Sequence, residues 1–208
     1  MRPSCACELH AHRPCRIVLT GGPGAGKTAV LEVVQRQFCE HVVALPEAAS
    51  ILFKGGFPRR SSTAGREAVQ RAIFRIQTEL ERMTLEESRA AVILCDRGTV
   101  DCLAYWDAAP ARFWQELGTS HAAELARYAA VIHLRPGQGY DHSNPMRIET
   151  AEQALAIDRR IEEVWAPHPS RVIIDSSASF LDKLDAAIGA IRAQIPSCCL
   201  PEAATVGS

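Results

Sequence analysis

Residues 21–28 read Gly21-Gly22-Pro23-Gly24-Ala25-Gly26-Lys27-Thr28 and fit the pattern G-x-x-x-x-G-K-[ST] in full. Glycines at these places let successive backbone N–H groups turn inward around phosphate oxygens with no Cβ in the way. A helix that follows points its positive end at the same anion. In such a loop the lysine, here Lys27, reaches the β- and γ-phosphates, and the hydroxyl of Thr28 ligates Mg2+. The flanks suit this chemistry. Residues 16–20 (RIVLT) read as a short buried strand, and 27–38 as a helix with Val30, Val33, Val34 and Phe38 on one face. The ligand implied is a nucleoside triphosphate with its magnesium, ATP or GTP. No N-K-x-D guanine motif is written anywhere in the chain.

Working outward, strands and helices alternate. Residues 41–45 (HVVAL) read as a second strand and 54–65 (KGGFPRRSSTAG) as a loop. Residues 66–83 predict a strong amphipathic helix with Val69, Ile73, Ile76, Leu80 and Met83 inward. Residues 91–96 (AVILCD) form a continuous apolar strand that ends in an acid. Residues 99–128 read as helices broken at Pro110 and Gly118, and 130–134 (AVIHL) as a fourth strand. A polar, lid-like loop fills 135–148. Thr150 and Gln153 then form a capping box for a helix with Ala154, Ile157, Ile161, Val164 and Trp165 inward. Residues 171–175 (RVIID) are a fifth strand, and Ser179 and Asp182 cap a last helix. Wholly apolar strands alternating with helices indicate an α/β fold, a five-stranded parallel sheet covered on both faces. One domain over 16–195 is expected, with 99–128 as a helical elaboration and flexible tails at 1–15 and 196–208.

Composition sets bounds. The chain has 208 residues, 47% hydrophobic and 23% charged, with net charge −1. That excludes wholesale disorder and argues against a protein that lives on nucleic acid backbones. No apolar run reaches the ~18 residues a membrane helix needs. The first residues lack the apolar core of a secretory signal, so a cytoplasmic setting with the 8 cysteines as free thiols is expected. Cys95 and Cys102 read as small core hydrophobes. Cys5, Cys7, His10, His12 and Cys15 crowd the N-terminal stretch, but their spacing matches no zinc module, so a weakly ordered tail is the first reading.

An NTP site also needs an acid for magnesium. Asp96 closes a buried strand at the end where α/β sheets bind ligands, so it is the candidate magnesium ligand, and it can cap the next helix as well. At Asp96-Arg97-Gly98 the chain becomes more specific than a generic P-loop. GGPGAGKT, PEAA after strand two, DRGTVDCLAYW after strand three, NPMRIETAEQAL before a helix and HPSRVIID together resemble the small AAA-type ATP/GTP-binding domain family. That family includes the ribosylnicotinamide kinase domain of bifunctional NAD-biosynthesis regulators and a photoreceptor channel-translocation protein. The resemblance spans about residues 16–192.

The resemblance implies a P-loop NTPase of the nucleoside- and nucleotide-kinase-like kind rather than an AAA+ motor. It places Arg97 near an acceptor hydroxyl and Glu47, after strand two, where a carboxylate accepts that hydroxyl's proton. LPEAAS around Glu47 departs from the Glu-Pro of those kinases. Arg147 falls where a lid arginine closes on the phosphates. Asp101 either touches an acceptor or complements a helix dipole. Residues 54–60 (KGGFPRR) are a solvated basic loop or a site for an acidic acceptor or phosphoinositide head group. Two functions stay open. One is a small-molecule kinase passing a γ-phosphoryl to a nucleoside-like acceptor. The other is a nucleotide-dependent switch or NTPase that binds a protein or lipid-head-group partner.

Overall fold

The computed structural model of the chain describes residues 2–5, 7, 12–137, 150–176 and 179–200. Five strands form one sheet: β1 Cys15–Thr20, β2 Val42–Leu45, β3 Val92–Asp96, β4 Ala130–Leu134 and β5 Arg171–Ile174. Every neighbouring pair is parallel, in the order β2-β3-β1-β4-β5. The helices are α1 Lys27–Gln37, α2 Ala48–Lys54, α3 Thr63–Glu87, α4 Asp101–Ala104, α5 Pro110–Leu117, α6 His121–Leu125, α7 Ala151–Trp165 and α8 Phe180–Arg192. A 3-10 turn follows at Ser197–Cys199. Among the described residues no helix is long and apolar enough to cross a membrane.

The sheet divides the interior in two, because side chains alternate along a strand. Ile17, Leu19, Val92, Leu94, Ile132 and Leu134 face α1 and α8, where Val30, Val34, Phe38, Ile188 and Ile191 complete one core. Val18, Ile93, Cys95 and Val131 face the other way, against Phe74, Phe113, Trp106, Tyr128, Ile161 and Trp165. This is why the strands read as unbroken apolar runs: neither face meets water. Cys95 and Cys102 lie in the second core as expected.

The caps follow the sequence. Thr150 and Gln153 make a reciprocal capping box, and the Ser179 hydroxyl accepts from the Leu181 and Asp182 amides. Pro110 opens α5 and Gly118 closes it at φ 72°, a left-handed position. Helix α2 takes Lys54 and α3 takes residues 63–65, so the expected loop shortens to residues 55–62. The helix α3 is longer than expected, and of its expected inward face Val69 is buried while Ile73 and Leu80 pack against the second core. Met83 is 45% exposed, while Glu67, Gln70, Phe74, Gln77, Glu81 and Thr84 face inward. A face carrying that much polar surface is invisible to hydrophobic periodicity.

Those polar groups have partners, as burial requires. Glu81 is fully buried and receives Arg16 at 3.2 Å, Arg127 at 2.6 Å, Gln77 at 2.9 Å and the Tyr128 hydroxyl at 2.8 Å. It ties α3 to β1 and to the turn before β4.

Within the expected tails, some of the described residues are packed. Cys7 is 9% exposed and Cys199 fully buried, both packed into the α1/α8 core. The reason is topological: the segment before β1, the turn after α1 and the segment after α8 all lie at the amino edge of the sheet. His10 lies outside the described residues.

Removing the buried Glu81 carboxylate leaves two arginines without their anion. Glu81→Ala is expected to lower the unfolding free energy in urea by about 3–5 kcal/mol. Nucleotide affinity of the folded fraction should be unchanged.

Candidate nucleotide site

The residues that read as functional meet at the carboxyl edge of the sheet. Leu19 pairs with Asp96 and Thr20 with His133, so the ends of β1, β3 and β4 are level. The loop 21–26 leaves the central strand and runs straight into α1. Gly21, Gly24 and Gly26 sit at φ 133°, 79° and 95°, all left-handed. Gly21 is required for a second reason: a Cβ there would stand 2.0 Å from the Leu134 carbonyl oxygen. The N-cap of α1 is Gly26, which has no side chain to cap the helix. The first amides of α1 therefore have no partner within the helix, the condition for an anion site.

Lys27 is 9% exposed, and its Nζ donates to the carbonyls of Gly21 at 3.0 Å and Gly22 at 3.3 Å. Burial, seconded by the Arg97 charge, pushes its pKa down to about 8 against the pull of Asp96, Glu47 and Asp101. Asp96 is pushed up to about 6, chiefly by burial. Its Oδ1 is buried without a hydrogen-bond partner. A carboxylate oxygen held back from water and from the protein fits a cation ligand, and with Thr28 at the exposed start of α1 the pair suits Mg2+.

Arg97 has φ 69°, left-handed and unusual for a residue with a side chain. Its amide donates to the Leu19 carbonyl at 3.0 Å. Its guanidinium pairs with Glu47 at 3.0 Å and Asp101 at 3.3 Å. Burial works against the Arg97 charge, but Tyr105, Glu47, Asp101 and Asp96 outweigh it and raise the pKa well above the usual value. Burial likewise pushes Glu47 up, and Arg97 with the 2.6 Å bond from the Ser50 hydroxyl more than reverses it, leaving Glu47 below the ordinary carboxylate value. Glu47 is also the N-cap position of α2, without a capping side-chain bond.

Asp101 is 2% exposed and fully engaged. It accepts from the Thr20 hydroxyl, the Gly98 amide at 2.9 Å, Trp165 Nε1 at 3.1 Å and Arg97. That makes it a positioning residue for Arg97, and it is also the acid in the first turn of α4, where the dipole reading from sequence put it. Arg147 lies outside the described residues. In the basic loop the Arg59 guanidinium stacks 3.7 Å from the Phe53 ring centroid.

Two residues at this site escape sequence reasoning. Asp158 of α7 accepts from the Gly22 amide at 2.6 Å and faces His133 Nε2 at 2.9 Å. His133 is a fully buried strand residue held through Nε2, while its Nδ1 has no hydrogen-bond partner. Lys183 of α8 donates to the Ala25 carbonyl at 2.7 Å and to the Arg135 carbonyl. Burial depresses its pKa. The signal was available. Asp158 is a charge on the Ala154–Ile161–Trp165 stripe, and Lys183 is one on the Ala187–Ile191 stripe, where a solvated residue has no place.

Residues 16–183 match the AAA domain family. The chain belongs to that family. No curated protein matches it in sequence. Among solved structures, the NadR protein in complex with NR superposes with a TM-score of 0.71 at 13% identity, over 91% of this chain and 54% of that one. NadR in complex with NAD and AMP-PNP gives 0.62 at 12% identity, over 87% and 49%. The AAA domain chain thus spans about half the length of the NadR chains, and at such identity the likeness is one of fold. The P-loop NTPase assignment rests on the family match and this fold together.

Removing the Asp158 carboxylate leaves the Gly22 amide and His133 unpartnered where water is scarce. Asp158→Ala should cost about 2–4 kcal/mol in chemical unfolding and weaken nucleotide binding about tenfold by calorimetry. Unchanged affinity would show that Asp158 does not hold the loop.

Proposed function

We propose that this chain is a Mg2+-dependent phosphotransferase that moves the γ-phosphoryl of ATP or GTP to a nucleoside-like acceptor hydroxyl. The observation that carries the reading is the convergence of Lys27, Asp96, Arg97 and Glu47 at one edge of the sheet, beside an uncapped helix N-terminus. Phosphoryl transfer asks for this kind of site, because its catalysis is almost all positioning and charge stabilisation. The ligands of the similar NadR structures, NR in one and NAD with AMP-PNP in the other, support an adenine nucleotide and a nucleoside-like acceptor.

In this reading the P-loop amides and α1 hold the β- and γ-phosphates, and Lys27 leaves the Gly21 and Gly22 carbonyls to meet them. Thr28 and Asp96 hold the magnesium, which when bound neutralises charge on the phosphates. The acceptor oxygen attacks the γ-phosphorus, the bond to the bridging oxygen breaks, and the nucleoside diphosphate leaves. Glu47 takes the proton of the acceptor hydroxyl. Its ion pair with Arg97 keeps it ionised and aimed, and a loose transition state asks for little basicity. Arg97 stands where it can bind the acceptor, and Arg147 is assigned to close on the phosphates.

A nucleotide-dependent switch has one observation of its own. Phe180 and Leu181 are 54% and 66% exposed, and Phe180 lies beside Gly26 of the P-loop. An apolar pair in contact with a nucleotide loop suits a partner that senses the bound phosphates.

The deciding experiment measures diphosphate release from Mg·ATP and Mg·GTP, with and without a panel of nucleosides that includes nicotinamide riboside. The kinase reading expects turnover that depends on one acceptor. It expects Lys27→Ala to abolish binding or turnover, and Glu47→Gln to lower kcat about 10²–10⁴-fold with nucleotide affinity intact. Tight binding with slow, acceptor-independent hydrolysis would overturn it in favour of the switch.

A further inference from the structure

A second cluster of reactive side chains lies at the amino edge, the end of the sheet away from the P-loop. It is assembled from three distant parts of the chain: the segment before β1, the turn between α1 and β2, and the 3-10 turn Ser197–Cys199. Two overlapping groups there bring candidate ligand atoms within 4.8 Å of one another, one of Cys5, Cys39, His41 and Cys199 and one of Cys7, His12, His41 and Cys199. All the cysteines involved are free thiols.

Four of these donors, Cys5, Cys7, His41 and Cys199, all lie within 4.8 Å of one another. Cys5 Sγ lies 3.1 Å from Cys7 Sγ and 3.3 Å from His41 Nδ1. Cys7 Sγ lies 3.4 Å from His41 Nδ1 and 3.3 Å from Cys199 Sγ. Cys199 Sγ lies 3.8 Å from His41 Nδ1, and Cys5 and Cys199 stand within 4.8 Å. Around a zinc ion, with Zn–S near ~2.3 Å and Zn–N near ~2.0 Å, tetrahedral donors stand about 3.5–3.8 Å apart, so the bonded pairs seen here would open by about 0.1–0.7 Å to admit it. Three sulfurs and one imidazole nitrogen at these distances are a Cys3His donor set. Burial fits a closed structural site: Cys7 and His41 are 9% and 8% exposed and Cys199 fully buried. Around the set, the Cys39 thiol donates to the Cys199 carbonyl at 3.6 Å, and the His41 carbonyl accepts from Ala91 and Val92 at the start of β3. These contacts fix the backbone of two of the four residues.

We propose that Cys5, Cys7, His41 and Cys199 bind one Zn2+ ion that clamps both ends of the chain to the amino edge of the sheet. Each of the three thiols gives up its proton to solvent as the ion enters, so no oxidant or reductant is needed. The softness of thiolate donors selects zinc over the magnesium that serves the other edge. The clamp joins residues far apart in sequence, Cys7 and Cys199, and so removes much freedom from the unfolded chain.

The test uses the full chain, purified under a non-thiol reductant and without added metal, then again after refilling with Zn2+. Elemental analysis should find one zinc per chain. Replacement by Co2+ should give tetrahedral visible bands with a thiolate charge-transfer band, on the unaltered sequence. Cys199→Ser and His41→Ala should fall below about one ion per ten chains. His41→Cys should keep the ion as a four-thiolate site, and Cys15→Ser, in β1 outside the set, should keep it too. A chain that takes up no zinc, or shows no thiolate–cobalt band, overturns the proposal. So does equal loss in Cys15→Ser, or a disulfide among Cys5, Cys7 and Cys199 in the reduced preparation.

Discussion

Two cations and three carboxylates share a small, water-poor volume at the carboxyl edge, and the rest of the site is arranged around that balance. Lys27 and Arg97 face Glu47, Asp96 and Asp101. In such a setting an unpaired charge is costly, so each group without a firm partner moves toward neutrality. Lys27 and Asp96 do this: burial draws one down to about 8 and the other up to about 6. Arg97, Glu47 and Asp101 are paired instead, and Arg97 stays charged. The division matches the proposed roles. The paired groups form a rigid floor, and the two unsettled groups are those assigned to the triphosphate and its cation.

The left-handed Arg97 belongs to that floor. A non-glycine residue at φ 69° costs about 1–2 kcal/mol, which a guanidinium with two carboxylates and an amide bonded to Leu19 readily offsets. The strain turns the arginine out of the strand direction and into the edge, where an acceptor would lie. Asp101 makes this possible by joining Thr20, Gly98, Trp165 and Arg97 in one knot. The site is thus coupled to the core: Trp165 is fully buried, and it also blocks any side chain at Gly98.

How far the chain was legible from sequence follows from what kind of order each part uses. The strands, the capped helices and the P-loop are local: apolar runs, cap residues and glycines announce themselves within ten residues. The polar face of α3 is not local. Glu81 is buried because Arg16 and Arg127 arrive from elsewhere, and a pattern search sees only a charge on a helix. Asp158 and Lys183 fall in the same class, carboxylate and ammonium placed on apolar stripes to hold the P-loop from behind. Asp96 and Arg97 could be read because they follow a strand, and the 3.0 Å Glu47–Arg97 pair follows from β2 and β3 being neighbours in the sheet.

The cysteines make the same point at the opposite edge. Read along the chain, Cys5, Cys7, His10, His12 and Cys15 fit no module, because only two of the four donors that converge are in that stretch. The other two, His41 and Cys199, are delivered by topology. A parallel α/β sheet returns the chain to its amino edge after every helix, so the segment before β1, the turn after α1 and the segment after α8 must end near one another. The same rule sends the loops after β1, β2 and β3 to the carboxyl edge. One architecture therefore yields two chemically distinct edges: oxygen donors and main-chain amides around the P-loop, sulfur and imidazole where Cys5, Cys7, His41 and Cys199 meet. Because the length of the strands and their close-packed apolar core lie between them, soft ligands at the amino edge would not compete for the hard cation that a nucleotide brings.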